Sequence, residues 1–114
     1  MKLASIVFLF LLVVSACTYD NEEDLLGESS CIENVSLTQD VQPIISAHCA
    51  VPGCHVSGGQ SPNFSQTTTI VNRAVDIRNR TSNRTMPPPA SGITLTSEEL
   101  QTISCWVEQG ANAN

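Results

Sequence analysis

Positive charge is scarce in this chain. Its 114 residues carry five Lys and Arg against 11 Asp and Glu, and Lys2 is the sole lysine. Aromatic residues make up 4% of the sequence, so the basic surface interleaved with aromatics that nucleic acid demands is missing. The apolar run from Leu3 to Val14 falls short of the roughly 20 residues of a spanning helix. Nor is there chain enough for a second core of useful size, and one domain of this length usually carries a staple, a metal or a cofactor. Five cysteines point the same way.

The apolar run follows Lys2 and reads as the core of an export signal over residues 1–16. It ends in Val14-Ser15-Ala16-Cys17, which resembles a bacterial lipobox. Cleavage there would leave Cys17 as an acylated first residue, and more than one acyl chain would anchor the protein to a bacterial membrane without spanning it. The other reading is an ordinary secretory signal with a free Cys17. Both deliver the chain to an oxidising compartment.

Residues 17–34 read as an acidic flexible tether, with Asp20, Glu22, Glu23, Asp24, Glu28 and Glu33 and no basic residue. One reading is a solvated spacer from the membrane; the other is that its Asp20-Asn21-Glu22-Glu23-Asp24 run resembles acidic signals for export to the cell surface. From Val41 onward Asp76, Glu98, Glu99 and Glu108 balance Arg73, Arg78, Arg80 and Arg84. The acidity belongs to the tether, and the expected folded domain, residues 35–114, is close to neutral.

Within that domain the densest chemistry is His48-Cys49-Ala50-Val51-Pro52-Gly53-Cys54-His55. Two cysteines with a histidine directly after the second are what covalent haem attachment needs: each thiol adds to a porphyrin vinyl group, and the imidazole takes one axial face of the iron. The usual spacing is Cys-x-x-Cys-His, whereas four residues separate these cysteines. Pro52-Gly53 is a turn signal able to fold the extra residues outward.

The flanking sequence predicts helices. Asp40 is a candidate cap for a first helix with Pro43 in its first turn and Val41, Ile44, Ile45 and His48 on one face. Residues 57–65 read as a loop, with Phe64 packing inward. Thr67 to Asn79 predicts a second helix that buries Ile70, Val71, Ala74, Val75 and Ile77. Met86 heads the rigid Pro87-Pro88-Pro89 run, where the backbone is fixed and a side chain suits a held ligand better than core filling. Leu95, Thr96, Glu99 and Leu100 form a capping box with a hydrophobic staple, starting a last helix that buries Leu100, Ile103 and Val107, has Trp106 at its edge and ends at Gly110. On this pattern Cys105 projects from the opposite side. Cys31 is the cysteine left without a role, and a Cys31–Cys105 disulfide is the expectation.

Together, Asp40-Val41-Gln42-Pro43-Ile44-Ile45, the Cys49 to His55 motif, Met86-Pro87-Pro88 and Trp106-Val107-Glu108-Gln109-Gly110-Ala111 resemble a small class I c-type cytochrome domain. The versions it is most similar to are carried on lipoproteins and multidomain proteins. The resemblance covers Asp40 to Ala111 and departs from the pattern in the cysteine spacing. It implies an all-α fold of three to four helices around one covalent haem c, with Cys49 and Cys54 as thioether cysteines, His55 as proximal ligand and Met86 as distal ligand. With both axial positions filled, the implied activity is electron transfer with redox partner proteins rather than catalysis. Arg73, Arg78, Arg80 and Arg84 are then candidates to pair with haem carboxylates. Two readings without haem stay open. One is a zinc site built from His48, Cys49, Cys54 and His55. The other is a disulfide-stapled binding lipoprotein with a Cys49–Cys54 bridge, which leaves His55 and Met86 without work.

Overall fold

The computed structural model describes Cys31 and residues 34–114; the expected export signal, Cys17 and the acidic run after it lie outside the described residues. Helix formation begins earlier than the sequence suggested. Ser36, not Asp40, is the N-cap: its hydroxyl accepts from Gln39 N, and a wide helical turn over Leu37–Val41 runs directly into α1, Gln42–His48. Asp40 lies inside that first turn and reaches back, its carboxylate accepting from Ser36 N at 2.7 Å. A serine hydroxyl and an acidic residue thus share the cap, and the earlier start adds Leu37 to the buried face. The remaining first-turn donors are met from the far end of the chain, Leu37 N by Asn114 Oδ1 at 3.0 Å and Thr38 N by Asn114 O at 2.9 Å.

The expected second helix is two. α2 spans Thr67–Asn72 and α3 spans Ala74–Ser82, with a break at Arg73, whose N–H is shared between Thr69 O and Ile70 O. Ile70, Ala74, Ile77 and Thr81 carry one buried stripe across the break, leaving Val75 off it and 56% exposed. The hydrophobic run Ala74-Val75 is therefore an accident of composition, and the helical phase decides which of the two residues is buried. A short 3₁₀ turn, Pro89–Ser91, follows the proline run.

α4, Ser97–Glu108, opens on the expected capping box: Glu99 N donates to Thr96 Oγ1 at 3.2 Å and Thr96 N donates to Glu99 Oε2 at 2.8 Å. Its buried face is rotated from the expected one. Ile103, Cys105 and Trp106 are buried, whereas Leu100 and Val107 are half-buried. Trp106 sits at the centre with no exposure, its Nε1 donating to Asn112 O at 3.0 Å; a large ring that also satisfies its N–H inside outranks two smaller aliphatics for the inner position. Cys105 likewise is not on an open face. It is 3% exposed and bridged to Cys31 by a disulfide.

α4 packs on α3 and on the Leu37–Val41 turn, so the core gathers Leu37, Val41, Ile45, Ile70, Ile103 and Trp106 with Phe64, Ile77 and Leu95 around them. No strand occurs among the described residues, and the domain is all-α. Among the described residues no helix is long and apolar enough to cross a membrane.

Glu99 ties the two ends of this bundle together. Besides capping α4 it accepts from or pairs with His48 Nε2 at 2.9 Å. The Thr96 backbone N–H, ahead of His48, lowers the Glu99 carboxyl below its ordinary 4.5 against the opposing effect of burial. A depressed carboxylate stabilises the fold above its unfolded value and ceases to do so as pH falls through the folded one. Glu99→Gln should therefore cost about 0.5–1 kcal/mol at pH 7, and the gap to wild type should close below pH 4.5, as read by urea unfolding at the two pH values.

Candidate functional site

α1 delivers the cysteine and histidine cluster. Its last turn continues through Cys49 N and Ala50 N, both donating to Ile45 O at 2.9 and 2.8 Å, so Cys49 is placed by helical geometry rather than by the loop. The chain then turns at Val51-Pro52-Gly53-Cys54. Cys54 N donates to Val51 O at 2.9 Å, and Gly53 has φ +83°, the positive-φ position that a proline-glycine turn with this closing bond requires. His55 N donates to Cys49 O at 3.0 Å and closes the base of the loop. This is how four intervening residues are accommodated: two go into a tight outward turn, and the residues carrying sulfur and imidazole are returned to the end of α1.

Beyond His55 the chain wraps back over the motif. Gln60 N and Val56 N both donate to Cys54 O, at 2.7 and 3.0 Å. Gly59 lies against the same carbonyl, where a Cβ would collide with Cys54 O. His55 is fixed from two sides. Its ring stacks obliquely on Phe64, with centroids 4.8 Å apart, and its Nδ1 lies 2.9 Å from Pro62 O. A carbonyl oxygen can only accept, so Nδ1 carries a hydrogen, which in the neutral ring puts the lone pair on Nε2. Metal-binding histidines are oriented in this way. Pro62 contributes only a backbone carbonyl, and no sequence pattern distinguishes it from any other loop residue.

Met86 reaches the same cavity from another element. After α3 the chain reverses through Arg84, which has φ +58°. Thr85 N and Met86 N donate to Arg80 O at 2.9 and 3.1 Å, and Thr85 Oγ1 donates to Asn83 Oδ1 at 2.7 Å. The residue before the prolines is thus hydrogen-bonded to the end of α3 on one side and stiffened by Pro87 and Pro88 on the other.

Cys49, Cys54, His55 and Met86 all line one cavity of about 670 Å³, together with Pro62, Phe64, Ile77, Pro87, Pro88 and Ile93. That volume lies within the range of about 300–1,000 Å³ typical of cofactor sites. Cys49 and Cys54 are free thiols, each half-buried, and do not form the Cys49–Cys54 bridge of the binding-module reading. Burial, with Cys54 as second cause, pushes the Cys49 thiol up to about 11. A thiol held protonated is poorly suited to be a thiolate metal ligand. Once alkylated to a thioether it carries no charge, and the same burial then costs nothing.

The structure does not assemble the alternative zinc cluster. Among the described residues no group of three or more His, Cys, Asp and Glu side chains is arranged to hold a metal ion. His48, a half-buried residue at the end of α1, also lines the cavity, but its Nε2 is engaged by Glu99. A haem needs only two axial donors from the protein, and the set present supplies one imidazole with a defined tautomer, one methionine sulfur, two thiols and apolar walls. These residues fit that group.

Of the four arginines considered from sequence, Arg73 and Arg80 line the cavity, with Asp76 between them. Comparison with protein-family models, curated proteins and solved structures returns no match for this chain.

Proposed function

We propose that this protein is an electron carrier with one covalent haem c, held in a small class I cytochrome-like domain. Cys49 and Cys54 would supply the thioether sulfurs, His55 Nε2 the proximal ligand and Met86 the distal one. The observation that carries this reading is the convergence of those side chains on one cavity, with His55 Nδ1 committed to Pro62 O. When bound, the haem supplies a one-electron iron couple. The protein's own part is to fix the imidazole through Pro62 and Phe64, hold the backbone of Met86 through Arg80 O, and exclude water with Ile77, Phe64 and Ile93. With His55 and Met86 both serving as ligands, the protein would leave the iron no position for a substrate, which favours electron transfer to a redox partner over catalysis.

The N-terminal sequence supports an exported, lipid-anchored location, with Cys17 as the acylated residue. Labelled fatty acid should then enter the wild-type chain and not Cys17→Ser. The haem assignment is tested by Cys54→Ala in a host that exports the chain and attaches haem. One thioether should remain, through Cys49. The alkaline pyridine haemochrome band should move toward that of a porphyrin with one free vinyl group, while the haem stays with the denatured polypeptide. A wild-type protein and a variant that both lack haem would overturn the assignment.

A further inference from the structure

The cavity has two kinds of wall. The attachment wall carries the thiols, His48 and His55. A second stretch of the lining, from the α2–α3 junction and α3, carries Arg73, Asp76 and Arg80 beside the apolar Ile77. Arg80 lies seven positions after Arg73, about two helical turns on, and both residues line the cavity across the break. Arg78 and Arg84 do not line the cavity.

The two arginines differ in their engagement. Arg80 Nε donates to Asp76 Oδ1 at 2.9 Å, which leaves both terminal nitrogens of its fork unassigned. Arg73 has no ion-pair or side-chain partner among the described residues. Both are exposed, Arg80 to 52%, so both stand at the mouth of the cavity rather than in its depth. A mostly apolar pocket with two cations at its rim and one carboxylate between them has an excess of positive charge where solvent begins.

We propose that Arg73 and Arg80 hold the two carboxylates of the bound porphyrin. This rests on the haem reading above and adds the orientation of the ring within the cavity. A porphyrin of this type is an apolar disc with two ionised carboxylates on one edge. The disc belongs among Phe64, Ile77 and Ile93, and the carboxylates belong at the rim, where they keep water and gain charge-assisted hydrogen bonds. Arg73 takes one carboxylate as a free fork. Arg80, braced by Asp76, takes the other with its terminal nitrogens. Because Arg80 O also accepts from Thr85 N and Met86 N, one residue would then fix a carboxylate with its side chain and position the distal-ligand loop with its carbonyl.

The test uses the holoprotein loaded with haem labelled with ¹³C at its carboxyl carbons, so that infrared spectra report those groups separately from Asp76. The pH at which the labelled carboxyls protonate is measured in wild type, Arg73→Met, Arg80→Met and, as a control on the same helix, Arg78→Met. A nearby opposite charge lowers a carboxyl by about 1–3 pH units. The midpoint should therefore rise by about one unit or more in Arg73→Met and Arg80→Met, stay near wild type in Arg78→Met, and be largely restored in Arg73→Lys. Equal midpoints in all three Met variants would overturn the assignment and leave the haem reading standing. Absence of covalent haem from the wild-type protein would remove both.

Discussion

Met86→Ala should lower the reduction potential by on the order of 0.1 V or more, a fraction of the roughly 0.8 V range that axial ligands span, and should open one coordination position. Thioether sulfur favours ferrous iron, so its loss favours the oxidised state. The freed position should bind azide or imidazole, visible as a change in the absorption spectrum that wild type does not show. The fold should tolerate the change. Met86 is half-buried, and the loop is held by the backbone bonds of Thr85 N and Met86 N to Arg80 O, which a side-chain truncation leaves in place. An unchanged potential together with no ligand binding would remove Met86 from the coordination sphere and leave its position at the head of the proline run unexplained.

Cys31→Ser should be the most destabilising of the changes that spare the cavity. The Cys31–Cys105 bridge closes a separation of 74 residues, and a loop of that size restricts the unfolded chain strongly; loss should cost about 2–5 kcal/mol. In a small domain this is a large share of the total. Two features make the bond matter beyond loop entropy. Cys105 is 3% exposed, next to the fully buried Trp106, so the bridge fixes the chain entry against the centre of the core. The same end of the molecule is also held by Val35 N donating to Gln109 Oε1 at 2.8 Å. Urea unfolding of Cys31→Ser, compared with the double variant Cys31→Ser, Cys105→Ala, measures the effect without a stray thiol. Near-wild-type midpoints in both, or reactive thiols at Cys31 and Cys105 in unreduced wild type, would contradict it.

How much of this was legible in sequence differs by element. The capping box at Thr96 and Glu99 was legible because both halves of the signal are local, three residues apart, and need no tertiary partner. The Pro52-Gly53 turn was legible for the same reason, since proline fixes its own φ and glycine admits the positive φ that the turn needs. The start of α1 was not. Asp40 is a good cap in isolation, but Ser36 wins because its turn buries Leu37 and because Asn114, distant in sequence, satisfies the first amides. The face of α4 was misjudged by rotation: Leu100 and Val107 look equivalent to Ile103 in a periodic pattern, and only the packing against α3 and the first turn favours Trp106. That same rotation buries Cys105. The disulfide expectation therefore named the pair found in the structure while placing Cys105 on the wrong kind of surface.

At the site, the residues with chemistry in their side chains were visible and the groups that hold them were not. Cys49, Cys54, His55 and Met86 stand out by type and spacing. Pro62, which fixes the tautomer of His55, acts through a carbonyl that every residue possesses. Arg80 positions the Met86 loop in the same anonymous way. The choice of Arg73 and Arg80 over Arg78 depends on helical phase relative to a cavity, and Arg84 lies past the end of α3 in the chain reversal; charge counting contains neither.

The most direct test is the intact mass and visible spectrum of the wild-type protein, purified from a host that exports it and attaches haem, and denatured before measurement. The expected result is a mass above that of the mature polypeptide by one haem, a c-type spectrum that survives denaturation, and no titratable thiol at Cys49 or Cys54. A colourless protein with the polypeptide mass alone and both of those thiols reactive would contradict the account.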